Sequence, residues 1–370
     1  MSGVKSIDIK ITAMGEGVVN TNGAYKDLSK EGVKKLISNH GAPKIRNLNP
    51  LLMKKVEDLN GIHEIFVSSN CIRNHLFPEA KNVPVVNEKN IEVVLSSFVG
   101  LMRGFLAPIK DVGSVKRKSP LFMSDFSTKV ELTFEQFANA GAPDANKLWS
   151  MHKPAATECL YEATASISTE DLSFIPLENT FSRSAYKGFV SDDEIEKMAI
   201  MVKETICNIG NALNNLSSEE KDLIHLEGLI DLKAIEVIGS NNFVRNNPFG
   251  ASLSNLGECG LILNDQAIDV LVLEMLHRIS ILNIQKAKGC LRVVGMLVDY
   301  NDGLPMRIKK DVNLASQERE NHYWSYYTSQ PLSAEAREER KGKEKEKENT
   351  IADQSADAKV GSNANKSKGK

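Results

Sequence analysis

Residues 6–12, SIDIKIT, set Ile7, Ile9 and Ile11 at every second position with polar residues between them. Successive strand side chains point to opposite faces, so this spacing predicts a half-buried β-strand. Such a strand needs neighbours along its edges and a layer covering its apolar face. Residues 62–68 (IHEIFVS) read as a second strand, and 161–177 alternate weakly as a third. Residues 291–300 read as another, with 306–308 as its partner across the turn at 301–305. Helical spacing supplies the covering layer. A short helix is expected from Ser69 or Asn70 to Phe77, stopped by Pro78. Asn90 should cap a helix over 91–105, where Ile91, Val94, Leu95, Phe98, Leu101 and Met102 recur at helical intervals. A long helix over 192–213 carries Asp192, Asp193 and Glu194 in its first turn, where the helix dipole favours negative charge. Residues 265–287 predict an amphipathic helix.

The pattern is that of an α+β domain, a small sheet backed by helices of the ferredoxin-like or RNA-recognition-motif-like type, spanning 1–330. Three polar, Gly- and Pro-bearing stretches interrupt it. Residues 20–61 and 106–160 read as excursions from the core, the second irregular with short helices. Residues 236–260 read as an extended loop or long hairpin. From Pro331 the character changes: EAREERKGKEKEKE has no apolar residue beyond Ala, and Ser, Asn, Gly and Lys follow. Residues 331–370 cannot bury a core and are expected to be a disordered tail.

Composition excludes several classes. No window of about 18 apolar residues exists, which argues against a membrane span. The first residues alternate charge with Ile and read as a strand, not a leader. The five Cys are scattered and never spaced as CxxC. That spacing favours reduced thiols in a cytoplasm over a disulfide frame or zinc site. The net formal charge is −2. Its distribution is uneven: 40–118 hold 12 basic and 7 acidic side chains, whereas 119–235 hold 9 basic and 19 acidic. A chain so divided can meet phosphates on one face, although charge along a sequence need not map to a face.

None of the seven His forms a pair with metal-ligand spacing. Glu16, between Gly15 and Gly17, begins no phosphate loop, since no GK[ST] follows. Asp299 and Asp302 read as hairpin-turn residues. No catalytic constellation, metal or cofactor emerges, and the chain is not expected to be an enzyme. The basic residues say more. Asn70 and Arg73 stand at the start of the short helix after 68, whose free N-terminal amides with an Arg form a phosphate site or a merely capped helix. Lys116, Arg117 and Lys118 precede Ser119–Pro120 in what reads as a basic loop, ordered on RNA or simply solvated. Arg103 ends the 91–105 helix, where the dipole favours a cation anyway. Lys44 and Arg46 flank an apolar residue in the first excursion. Arg245 lies between Phe243 and Phe249, which can either stack on bases or fold the loop back on the core.

Eight runs in order resemble one known family: APKIRNL (42–48), SSNCIRNHLF (68–77), GLMRGFLAP (100–108), KRKSPLFMSDF (116–126), ISTEDLSFIPL (167–177), ECGLILND (258–265), KAKGC (286–290) and VDYNDG (298–303). They are similar to the guide-RNA backbone subunit of the CRISPR type I-F variant Cascade-like effector, over roughly residues 4–310. The resemblance implies an RNA-recognition-like palm with fingers, web and thumb insertions, and a non-catalytic subunit that oligomerises along guide RNA in antiviral defence. It implies that the guide is gripped by its phosphates, so that base pairing reads the target DNA. The partners implied are guide RNA, further copies of the chain, cap and repeat-processing subunits, and target DNA through the guide. Carried over by motif, the RNA contacts are Lys44, Arg46, Asn70, Arg73, Arg103, Lys116, Arg117 and Arg245. The thumb falls at 240–257, where Asn246, Asn247 and Pro248 replace an expected basic loop. Two other readings stand beside it: an RNA-processing endonuclease using His63 or His75 as base, and a structural oligomer without nucleic acid.

Overall fold

The computed structural model describes residues 4–17, 61–87, 89–109, 113–138, 148–154, 159–177, 190–245, 258–286, 289–301 and 327–328. Lys44, Arg46, residues 246–257 of the expected thumb, the expected partner strand 306–308 and the 331–370 tail lie outside them.

The SIDIKIT strand is the middle of the main sheet. β1 (Ser6–Gly17) runs antiparallel between β13 (Gly289–Asn301) and β8 (Cys159–Ser168). Ile9 stands opposite Val298 on one side and Ala165 on the other. Ile7, Ile9 and Ile11 are all fully buried. Burying each isoleucine stabilises the fold by about 1.5–3 kcal/mol relative to leaving it in water. The sheet order is β12-β13-β1-β8-β6-β2. Here β2 is Gly61–Val67, β6 Phe126–Ala138 and β12 Asn283–Lys286; β5 (Leu121–Met123) also pairs with β8, and β7 (Leu148–Pro154) with β6. Among the described residues β13 thus pairs with β1, from the start of the sequence, and with β12, which immediately precedes it.

The second excursion differs from expectation. The described residues within 106–160 are largely strand: β6 and β7 pair with each other, and β3 (Phe105–Ile109) and β4 (Gly113–Arg117) form a separate two-stranded hairpin. Thr, Val and Phe in FSTKVELTFEQFA favour a pleated, half-buried surface, a signal that Gly and Pro at its flanks obscured.

A mixed helix layer covers the sheet. α1 is Ser69–Leu76, α2 Ile91–Ser96, α3 Thr169–Ser173, α4 Asp192–Asn214, α5 Ser218–Leu223 and α6 Asp265–Ser280. α4 begins on a reciprocal capping box between Ser191 and Glu194 and buries Ile195, Met198, Val202, Ile206 and Leu213. α6, expected to be amphipathic through 287, is buried on nearly every side and stops at Ser280. It is a core helix packed against α4, β13 and β11, and the chain beyond it becomes β12. The helix expected over 91–105 breaks after Ser96. Ser97 is extended, its hydroxyl donates to the Val94 carbonyl and accepts from the Gly100 amide, and a π-helical turn follows over Val99–Arg103. Serine side chains that bond nearby backbone compete with helix propagation. A Cβ on Gly100 would collide with the Val94 carbonyl oxygen, so only glycine permits this break.

A smaller sheet, in the order β14-β10-β11-β9, joins Phe174–Pro176 (β9), Val237–Arg245 (β10), Glu258–Leu263 (β11) and Tyr327–Thr328 (β14). β10 and β11 are antiparallel, the hairpin alternative for 236–260. All five cysteines are free thiols. Among the described residues no helix is long and apolar enough to cross a membrane.

Candidate nucleic-acid interface

Of the predicted basic residues, Arg73 and Arg103 meet where α1 and the π-turn converge, beside the β3–β4 hairpin that carries Lys116 and Arg117. α1 buries Ile72 and Leu76 and exposes Asn70 and Asn74. Its N-terminus is not free. Asp125, just before β6, accepts a hydrogen bond from the Ser69 amide at 2.8 Å. A carboxylate already occupies the position at which a phosphate was expected, and for the same dipole reason.

Arg73 projects from α1 into the corner and donates three hydrogen bonds. Nη1 reaches the Leu121 carbonyl at 2.9 Å, and Nη2 reaches the Arg103 carbonyl at 3.0 Å and Ser119 Oγ at 2.7 Å. Ser119 Oγ also lies 2.8 Å from the Met102 carbonyl. One guanidinium therefore gathers the end of the π-turn and the start of β5. Burial and then the charge of Arg103 both hold the Arg73 pKa below its ordinary value. Arg103 itself lies in the last position of the π-turn and donates to Asn74 Oδ1 at 3.1 Å. Among the described residues neither arginine has a carboxylate within ion-pair distance. Two neighbouring guanidinium groups with no neutralising acid among the described residues suit an anionic partner.

The triplet 116–118, expected on a loop, is instead the end of β4 and the residue after it. Strand alternation divides it. Lys116 is exposed opposite Leu106 of β3, whose side chain is 71% exposed. Arg117 points inward opposite Phe105 and is only 5% exposed. Its Nη2 donates to the Asp171 carbonyl and its Nη1 to the Phe174 carbonyl at 3.5 Å, while the buried Nε finds no partner among the described residues. Burial pushes its pKa down to about 10, against the raising effect of Asp171. The expected RNA contact at Arg117 is corrected on this ground: a phosphate cannot reach a side chain so enclosed. Lys118 pairs with Asp171 Oδ2 at 2.8 Å on the surface.

Arg245 closes β10, paired with Tyr327 of β14, away from this corner in the chain's second sheet. Its neighbour Phe243 is fully buried and meets Phe174 edge to face at 6.0 Å, so Phe243 packs the core and is not free to stack on bases. The candidate bases sit apart. His75 Nδ1 lies 2.8 Å from the Cys71 carbonyl, which fixes that nitrogen as the donor, and His63 is in β2. Among the described residues no group of three His, Cys, Asp or Glu converges as a metal site.

Two features escaped sequence reasoning. Asn74, one helical turn after Asn70, orients Arg103; its spacing was the available signal. Asp299, expected in a turn, lies inside β13 directly opposite Asp8 of β1, both 1% exposed. Asp8 accepts from Ser166 Oγ at 2.7 Å and from Asn301 Nδ2 at 3.3 Å. Nothing in local sequence places two carboxylates across neighbouring strands nearly three hundred residues apart.

The described residues form an α+β body with two arginines at one corner that have no carboxylate within ion-pair distance among them. The chain belongs to the Cas7fv-like family of type I-Fv CRISPR-associated proteins, whose model matches residues 3–330. No curated protein matches it.

Proposed function

We propose that this chain is a non-catalytic backbone subunit of a type I-F variant effector complex, acting in the cytoplasm. It grips guide RNA by its phosphates and packs along it with further copies of itself. The observation that carries this reading is the Arg73–Arg103 corner: two neighbouring, mutually repelling arginines with no carboxylate within ion-pair distance among the described residues, in a chain of a CRISPR-associated family. Lys116, on the exposed face of the hairpin, extends the cationic rim. The sheet of β1, β8 and β13, with α6 behind it, serves as the RNA-recognition-like palm. Cap and repeat-processing subunits are the expected protein partners, and target DNA arrives by pairing with the guide.

The test is co-expression of the full chain with a guide RNA, followed by size-exclusion chromatography and absorbance ratio. A multi-copy ribonucleoprotein that falls apart as salt rises is the expected result, because phosphate contacts release counterions. Protein eluting free of RNA at low salt, or purified chain that cuts repeat RNA unaided, would sink the reading.

A further inference from the structure

Among the described residues the β3–β4 hairpin joins neither of the two larger sheets. A two-stranded hairpin is marginal by itself, so its placement depends on what its inward face holds. That face carries Phe105, Ala107, Val115 and Arg117; Ala107 and Val115 are buried. Arg117 is the only charged member. Its two Nη groups reach the carbonyl of Asp171, midway along the five-residue α3, and that of Phe174, its C-cap. Carbonyls at a helix end lack intrahelical partners and carry partial negative charge, so a cation is favoured there. A planar fork can bridge two such oxygens; an ammonium point charge cannot do so in the same geometry.

The strand alternation that turns Arg117 inward turns Lys116 outward, beside the exposed Leu106. Among the described residues Lys116 has no carboxylate partner, whereas its neighbour Lys118 is paired with Asp171. Of the triplet, therefore, one residue anchors, one is neutralised and one is left to a ligand.

We infer that Arg117 is a positioning residue for the RNA contact: it clamps the hairpin to α3 and so sets where Lys116 stands. The inference rests on the RNA reading above and replaces direct contact at Arg117 with an indirect role.

The experiment uses the full chain as wild type, Arg117→Lys, Arg117→Gln, Lys116→Ala and the Arg117→Lys/Lys116→Ala double variant. Amide hydrogen exchange over residues 105–109 and 113–117 is read without RNA, and affinity is read against a mixed-sequence single-stranded RNA at fixed salt. Lys116→Ala should weaken RNA binding about tenfold, as expected for a lost charge-assisted phosphate contact. Arg117→Lys keeps the charge, yet should speed exchange in the hairpin and weaken RNA by a similar factor. The double variant should then be little worse than either single one, because both remove the same contact. Arg117→Lys binding like wild type while Arg117→Gln does not would show a direct charge effect and overturn the positioning role. Hairpin exchange unchanged in both Arg117 variants, with Lys116→Ala still weakening RNA, overturns it too and leaves the RNA reading standing. Unchanged affinity in Lys116→Ala removes the RNA reading of the hairpin, and the inference with it.

Discussion

Arg73 reaches Arg103 through the backbone and not through charge: its Nη2 donates to the Arg103 carbonyl at 3.0 Å, although the two guanidinium groups repel. One arginine holds the corner and the other is presented by it. The Arg73 bonds tie α1 to the π-turn and to β5, whereas among the described residues Arg103 makes one side-chain bond, to exposed Asn74.

The two arginines therefore differ in what their loss does. Arg73→Ala leaves the Leu121 and Arg103 carbonyls without this donor and should destabilise the chain by about 2–3 kcal/mol. That separates it from a simple surface contact, the role its position in sequence implied. Arg103→Ala should shift stability by less than about 0.5 kcal/mol yet weaken RNA binding. Thermal melting beside RNA affinity distinguishes the two. Equal melting temperatures for both variants would contradict the division.

Gly104 closes the π-turn with φ of +71°, and a Cβ there would run into the Arg117 carbonyl oxygen and crowd the Ser119 amide. Gly104→Ala suffers both the left-handed backbone and the clash, so a loss of more than about 1–2 kcal/mol is expected. Denaturant unfolding measures it. The same substitution should displace the hairpin, since Arg117 and Ser119 are the groups struck.

Acid should loosen the junction of α1 and α6. Arg278 donates to Glu79 at 2.6 and 2.9 Å, to Glu274 at 2.6 Å and to the Leu76 carbonyl at 3.0 Å, and lies 4.3 Å from the Phe98 ring centre. Burial raises the Glu79 pKa, but the Arg278 hydrogen bonds and charge outweigh it, so the net shift is below the ordinary 4.5. A carboxyl with a depressed folded pKa contributes stability that is complete above its unfolded pKa and is lost as pH falls through the folded one. Glu79→Gln should thus lower the melting temperature slightly at pH 7 and flatten its fall below pH ~4.5. Parallel acid limbs for wild type and variant would refute the assignment. Glu79 is half exposed, so the effect is modest.

Strong periodicity made the frame readable. Ile7, Ile9 and Ile11 announced β1, the acidic first turn announced α4, and a cap at Ser69 or Asn70 with Pro78 as the stop announced α1 to within a residue or so of its Ser68 cap. The failures have physical causes. The hydroxyl of Ser97 and the missing Cβ of Gly100 break a helix whose apolar spacing continues unbroken. The spacing over 265–287 predicts an amphipathic helix, yet α6 is buried on nearly every side and even Asp269 is 8% exposed. In the candidate site, residue types were legible but their fates were not. Arg103 and Arg73 were found as a pair only through contacts across 30 residues, Asp125 caps α1 from 56 residues away, and Arg117 was assigned to RNA when β4 pairing turns it inward. Long-range pairing decides which charge meets solvent, and local sequence does not encode it.

Removal of residues 331–370 should leave folding and RNA binding intact. The segment holds ten basic and eight acidic side chains, almost nothing apolar, and lies beyond the family match that ends at 330. With so little apolar surface, its loss opens no cavity in the core; with a net charge near +2, its loss removes no strong phosphate clamp. The final KSKGK is basic, so a weak, salt-sensitive loss of non-specific DNA binding is the one change expected. A chain ending at Gln330, compared with the full chain by thermal melting and by guide-RNA affinity at fixed salt, decides it. A melting temperature lower by several degrees would mean that the segment docks on the body. Unchanged melting with impaired multi-copy assembly would mean that it contacts a neighbouring copy, and composition would then have hidden an interface.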